Sequence, residues 1–183
     1  MIYDLKHITI RQYYAMEDAS LFAKYLKLEE LMTVRDNKFG KFDAENLEDL
    51  SYGQVGLLKR LISAPTLNGI FEMFNIVYGI EQAEYYKQDI VEYFYGMKWI
   101  KQEIGRIISN ENKVLSHEPD AKFELAGGKA LNVFRELPSL IMLAKDYGCF
   151  PEEVELRKYK RVFADLAYIK VHGDIAKAYR ELK

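Results

Sequence analysis

Three histidines and one cysteine are the residues of this sequence best suited to acid–base or nucleophilic chemistry. The histidines are His7, His117 and His172, and none stands three to five residues from another metal-type ligand on a shared helix face. Cys149 has no neighbouring basic residue that would stabilise a thiolate, so a small buried hydrophobe is its expected role. The sequence therefore predicts no catalytic residue, no metal ligand and no cofactor.

A pair of glycines followed by a lysine is the nearest approach to a phosphate-binding loop. In Gly127-Gly128-Lys129 the upstream glycine of a P-loop is missing, and Ala130 replaces the required serine or threonine. The pair falls within a predicted helix over 121–135. We expect Gly127 and Gly128 to serve helix packing, because a helix without side chains at one point lets another helix cross closely, or to kink the helix.

Glu111 is the one carboxylate that interrupts the apolar stripe of the longest predicted helix. One interpretation is a buried carboxylate tuned for catalysis. The other is a structural anchor paired with Lys129 or Arg135, or a helix end exposed to water. A ferritin-like di-iron site would need a Glu-x-x-His motif, and none occurs in the sequence. The structural interpretation is therefore favoured.

Charge is distributed unevenly along the chain. Residues 28–50 hold seven acidic and three basic side chains, whereas residues 157–183 hold eight basic and three acidic ones. These charges either line solvated helix faces or mediate head-to-tail association between copies, which closes into rings or grows into filaments. The candidate contact residues are Asp43, Glu45, Glu48 and Asp49 on the acidic side, and Arg157, Lys158, Lys160 and Arg161 on the basic side.

The overall composition indicates a folded protein. The chain has 183 residues, of which 49% are hydrophobic and 30% charged, which excludes a wholly disordered protein. A formal net charge of −2 lacks the basic excess typical of nucleic-acid binding. The first residues do not resemble a signal peptide, and no run approaches the ~20 apolar residues of a membrane span. We therefore expect a soluble protein that is made in a cytoplasm and binds no membrane.

Tyrosine is unusually frequent, with 14 Tyr and 10 Phe against a single Trp. Tyrosine is favoured in surfaces that another protein covers, because it combines a large apolar ring with a polar end. A tyrosine-rich core would give the same composition. The sequence leaves both alternatives open.

Hydrophobic periodicity and capping residues predict an all-α protein, a multi-helix orthogonal bundle of about seven to nine helices. Residues 2–10 can form a short N-terminal strand or arm, and 33–46 is the clearest loop. One domain over 1–183 is expected, with 1–46 as an optional N-terminal subdomain. The predicted helices are 10–16, 20–32, a helix opened by Ser51 and ending near 63, 67–78, a periodic segment over 82–115, 121–135, one from Pro138 to Gly148, a short one at Pro151, and 159–181.

Several short motifs together resemble tailed-bacteriophage proteins of the tail-assembly-chaperone type, encoded near the tape measure protein. The resemblance spans most of the chain, and it lies in the order of helices and small motifs. The absence of an obvious flexible extension departs from such chaperones and leaves room for a connector, neck or ring component. The motifs are Ile8–Tyr14, Leu47–Gly53, Glu111…Leu115, Leu125-Ala126-Gly127, Leu131–Phe134, Leu143-Ala144, Glu153-Val154, Tyr159 and Val162-Phe163.

The resemblance implies a non-enzymatic protein of virion assembly or structure that binds other tail or neck proteins, or itself. It would work in the host bacterial cytoplasm during assembly, or in the virion. Two alternatives of other classes remain: a small helical enzyme with a pocket around Glu111, and a nucleic-acid-associated protein that uses the basic C-terminal helix.

Overall fold

A computed structural model describes residues 7–33, 36–116, 125–134 and 136–182 of the chain. Within these ranges it contains nine α-helices with defined bounds, two 3₁₀ helices (Leu47–Asp49 and Gly128–Phe134) and a two-stranded sheet, which confirms the all-α prediction. None of the described helices combines the length and the apolar character that crossing a membrane requires. The elements are α1 Ile10–Tyr14, α2 Ala19–Leu31, β1 Lys38–Phe39, β2 Phe42–Asp43, α3 Tyr52–Ser63, α4 Leu67–Tyr78, α5 Gln82–Tyr85, α6 Ile90–Leu115, α7 Leu137–Tyr147, α8 Pro151–Glu155 and α9 Tyr159–Glu181.

Local capping explains why many of these helices begin and end where the sequence predicts. Thr9 and Gln12 form a reciprocal capping box at the start of α1. The Thr66 hydroxyl accepts a hydrogen bond from the Gly69 N–H at the start of α4. Gly79 ends α4 at φ +62°, a left-handed conformation that glycine adopts without the strain a Cβ would bring.

The predicted loop 33–46 contains the small sheet. β1 and β2 pair antiparallel, with Lys38 opposite Asp43 and Phe39 opposite Phe42. The hairpin forms because Phe39 is fully buried and anchors it. The predicted N-terminal strand is only partly described: Thr9 forms an isolated antiparallel bridge with Asp89, and residues 2–6 lie outside the described residues.

The periodic segment 82–115 is two helices, not one. α5 ends at Tyr85, and α6 begins at Ile90 because the Asp89 carboxylate accepts a hydrogen bond from the Val91 N–H (2.7 Å). The break separates Ala83, which is exposed, from the buried row of α6. Ile108 was also expected to face inward but is exposed, and Ile107 is buried in its place. The buried row of α6 consists of Ile90, Tyr93, Phe94, Met97, Ile100, Ile104 and Ile107.

The predicted role of Gly127 in helix packing is wrong. Gly127 lies in a turn at φ +88°, and a Cβ built on it would meet none of the described residues within 4 Å. Glycine is favoured at this position by the left-handed backbone conformation rather than by a crossing helix. Gly128 begins the 3₁₀ helix Gly128–Phe134, so it does not lie inside an α-helix as predicted. Residues 121–124 of the predicted helix lie outside the described residues.

The chain divides into two compact units. The first consists of Met1–Asn46 and Leu58–Gly105, and the second of Leu47–Leu57 and Arg106–Lys183. The described residues of 1–46 are thus grouped with 58–105 by their contacts, and the optional subdomain 1–46 stays a prediction. That the whole chain is one domain stays a prediction.

Aromatic rings build the core of the first unit. Phe74 is fully buried, with ring centroids 4.6 Å from Phe39, 5.2 Å from Tyr85 and 5.6 Å from Tyr93. Tyr13, Tyr25, Tyr78, Tyr85 and Tyr93 are all buried there. Five of the 14 tyrosines therefore belong to this core, so a tyrosine-rich core explains part of the composition.

The core of the second unit is aliphatic and joins α7, α8 and α9. Leu140, Leu143, Ala144, Val154 and Val162 form the buried cluster. Cys149 packs against this cluster as the expected small hydrophobe would, but it is half-buried rather than buried.

Candidate functional site

The second unit brings together residues from three distant parts of the sequence. The backbone around Leu50 pairs with the start of α9: the Tyr52 N–H donates to the Arg157 carbonyl and the Tyr159 N–H to the Leu50 carbonyl, both at 2.8 Å. These two hydrogen bonds fix the segment before α3 beside the first turn of α9. The first residues of α9 therefore lie next to the 3₁₀ helix Leu47–Asp49.

Asp49 is the centre of a small charge cluster at this junction. Its Oδ1 lies 2.7 Å from Lys160 Nζ and 3.2 Å from Lys158 Nζ. Hydrogen bonds from Lys160 and Lys158 hold the pKa of Asp49 below its usual value. Glu48 pairs with Arg106 Nη1 at 2.9 Å on the same side. Acidic and basic residues that head-to-tail association would bring together from two copies thus meet within one chain.

The remaining charged candidates also have partners in their own chain or lie in solvent. Arg161 Nε is 3.1 Å from Asp165 Oδ2, and Arg157 lies 4.0 Å from the centroid of the Tyr147 ring. Asp43 is 3.8 Å from Lys38 Nζ, and Glu45 is exposed. Head-to-tail association through these residues would exchange one set of exposed ion pairs for another. Exposed pairs contribute only about 0–1 kcal/mol, so such an exchange gains little.

Glu111 is half-buried, and its described hydrogen-bond donor is a tyrosine. The Tyr159 hydroxyl donates to Glu111 Oε1 at 3.0 Å, while the Tyr159 ring is buried. The ring stacks against Tyr52 on one side and Phe163 on the other, at 6.2 and 5.8 Å between centroids. The expected partners Lys129 and Arg135 cannot be compared, since the side chain of Lys129 and the whole of Arg135 lie outside the described residues.

Burial makes the tyrosines of this region weaker acids than free tyrosine. Burial first, and then the charge of Glu111, raise the pKa of Tyr159 and of Tyr52 above the usual value of 10.0. Burial and a hydrogen bond to Asp165 raise the pKa of Tyr147 to about 12. These hydroxyls stay neutral at physiological pH, and those of Tyr159 and Tyr147 donate hydrogen bonds to Glu111 and Asp165.

These shifts predict a loss of stability in alkali. Above pH 10 the unfolded chain releases tyrosine protons that the folded chain retains, so the free energy of unfolding falls as pH rises. We expect unfolding, measured by far-ultraviolet circular dichroism, to coincide with ionisation of the buried tyrosines, measured by tyrosinate absorbance. Full tyrosine ionisation near pH 10 with an unchanged helical signal would contradict this prediction.

A small cavity of about 170 Å³ opens beside Tyr159. Its lining combines the ion pair of Glu48 and Arg106 with the Lys160 ammonium. Charges of both signs face each other here, so the cavity suits water or a small polar molecule better than a strongly charged one. The lining residues are Glu48, Arg106, Ile107, Asn110, Tyr159, Lys160 and Phe163.

Neither described histidine is among the residues of this region. His7 is exposed, with Nδ1 2.8 Å from Asp89 Oδ2 in the first unit. His172 is exposed on α9, with its ring centroid 6.1 Å from that of Tyr168. His117 lies outside the described residues. Across the described ranges, no group of three or more His, Cys, Asp or Glu residues is arranged to hold a metal ion.

Sequence reasoning missed Tyr159, Tyr52 and Arg106 as parts of this site. One feature of the sequence, the position of Tyr159 on the apolar side of the predicted last helix, gives a weak indication of the site. Tyr159 stands one helical turn before Val162 and Phe163. A polar hydroxyl at an apolar position indicates a buried partner. The partner, 48 residues earlier in the chain, could not be found by spacing alone.

Comparison of this chain with known protein families, curated proteins and solved structures found no match.

Proposed function

We propose that this chain is a non-enzymatic protein of tailed-phage virion assembly or structure, which binds other tail or neck proteins. The proposal combines the pattern of helices and motifs with one observation: the second unit exposes large apolar side chains on α7 and around α8. Leu137, Ile141 and Met142 are exposed on α7, at 41%, 53% and 38%. Phe150 and Leu156, at either end of α8, are exposed at 73% and 78%.

The two units differ in how much apolar surface they expose. Among the described residues, eighteen large hydrophobic side chains are exposed, and fourteen of them belong to the second unit. The four in the first unit are Phe22, Leu26, Leu31 and Leu67. Concentrated apolar surface of this kind is typical of a protein that another protein covers. Within the second unit, the exposed apolar residues of α7 and around α8 form the proposed binding region.

The test uses the phage that encodes this chain, with Ile141→Lys introduced into α7. We expect infectious titre to fall and incomplete tails or particles to accumulate in electron micrographs, because the lysine charge would be buried in the contact. Asp146→Lys is the matched control, since it places the same residue at an exposed position of the same helix. Mass spectrometry of purified virions then separates a resident component from an assembly factor. Normal titre after deletion of the reading frame would contradict the proposal.

A small helical enzyme is a second candidate, favoured by the contact between Glu111 and Tyr159 beside the cavity. If the cavity binds a substrate, members of a metabolite library should raise the melting temperature, and Lys160→Ala should abolish the shift. If no compound raises the melting temperature, the enzyme hypothesis is wrong.

No comparable observation favours nucleic-acid binding, since Lys158, Lys160 and Arg161 pair with carboxylates.

A further inference from the structure

The last helix, α9, changes its apolar face halfway along. In its first half Tyr159 and Val162 are buried, and Leu166 and Ile169 pack against the aliphatic core of the second unit. In its second half the large apolar residues fall on the opposite side, because successive residues of an α-helix are ~100° apart. We call these the outer row: Tyr168, Val171, Ile175, Tyr179 and Leu182, exposed at 70%, 52%, 63%, 63% and 87%.

The charged residues of the second half avoid the outer row. They all fall on the half of the helix that continues the inner face: Lys170, Asp174, Lys177, Arg180 and Glu181. From Val171 to Leu182 every side chain is exposed except Ala176, which is half-buried. A helix that is solvated on every side would carry charged residues on all of its faces. This segment is instead amphipathic, and its apolar side is turned away from the core of the second unit.

The spacing of the outer row is symmetric about Ile175. Its steps of 3, 4, 4 and 3 residues read the same in both directions along the chain. A two-fold axis at Ile175 therefore places Tyr168 opposite Leu182 and Val171 opposite Tyr179 of an antiparallel second copy. Such a contact uses the same surface on both copies and closes on itself.

The apolar area exposed by the outer row is large enough for a small dimer interface. The exposed fractions of these five side chains correspond to on the order of 600 Å² per copy, against ~800 Å² per partner in a standard interface. A single exposed helix of this length is marginal in water, so covering the row would also stabilise the helix. We propose that α9 pairs with α9 of a second copy of this chain, antiparallel and through the outer row.

The first experiment measures the oligomeric state of the full chain by sedimentation. We expect a concentration-dependent dimer that sodium chloride barely affects, because the contact is apolar. Ile175→Asp should weaken dimerisation by roughly 100-fold or more, since it places two carboxylates on the axis. Gly173→Asp adds the same residue on the opposite face, where a Cβ meets nothing within 4 Å, and should leave the dimer intact. Unchanged circular dichroism would confirm that both variants fold.

The second experiment determines the direction of pairing, in a Cys149→Ser background. A mixture of Tyr168→Cys and Leu182→Cys chains should form an intermolecular disulfide. Tyr168→Cys alone should not, because the two positions 168 would be ~21 Å apart at 1.5 Å per residue. A monomer at all concentrations, a dimer unaffected by Ile175→Asp, or self-crosslinking of Tyr168→Cys would overturn the proposal. Since α7 and α8 are not involved, such a failure would leave the proposed binding region untouched.

Discussion

Replacing Gly96 by alanine should lower the free energy of unfolding by about 1–3 kcal/mol, although alanine is the better helix former by about 1 kcal/mol. Gly96 lies in α6, and a Cβ built there would be 2.7 Å from Cε1 and 3.2 Å from Cζ of Phe74. Phe74 cannot move aside easily, because it is fully buried against Phe39, Tyr85 and Tyr93. The extra methyl group must therefore displace the aromatic core.

Gly105→Ala is the matched control, in the same helix and the same unit. A Cβ at Gly105 meets nothing within 4 Å, so the substitution should raise the free energy of unfolding by about 0.5–1 kcal/mol. Urea denaturation of both variants and the natural sequence gives the comparison. Equal effects of the two substitutions would show that helix propensity, rather than contact with Phe74, decides the outcome at Gly96.

Signals confined to a few neighbouring residues predicted the fold well. The bounds of α4 agree with the prediction because Thr66 caps its start and Gly79 closes its end, and both effects act within one helical turn. The bounds of α9 were also correct. The break before α6 was missed, because Ala83 and Ile90, seven residues apart, keep helical spacing across it, and the cap at Asp89 was not recognised.

Contacts between distant residues were not predictable from one sequence. Val162 and Ile175 are both apolar residues of the predicted last helix, yet Val162 is buried and Ile175 is 63% exposed. Spacing alone places Ile175 opposite Val162, but which side of a helix meets the core depends on its neighbours. Likewise Asp49, Lys158 and Lys160 were each identified by charge. That they pair within the chain depends on the backbone hydrogen bonds beside Leu50.

Tyr159→Phe should lower the free energy of unfolding by about 1.5–3 kcal/mol, the range for a hydrogen bond to a charged group. The substitution keeps the stacked ring but removes the hydroxyl that donates to Glu111 Oε1 at 3.0 Å. The half-buried Glu111 then loses one donor. Glu111→Gln keeps an oxygen acceptor without the charge, so its loss should be smaller. Urea denaturation at neutral pH measures both changes.

Tyr78→Phe should change the free energy of unfolding in the opposite direction. The Tyr78 hydroxyl is buried and has no hydrogen-bond partner among the described residues, and burial raises its pKa well above 10.0. Removing an unsatisfied buried hydroxyl should raise the free energy of unfolding by about 1 kcal/mol. The two variants lose the same atom, so the difference between them measures hydrogen bonding rather than ring packing. Equal destabilisation by both would mean that the Tyr78 hydroxyl has a partner and that the contact with Glu111 contributes nothing specific.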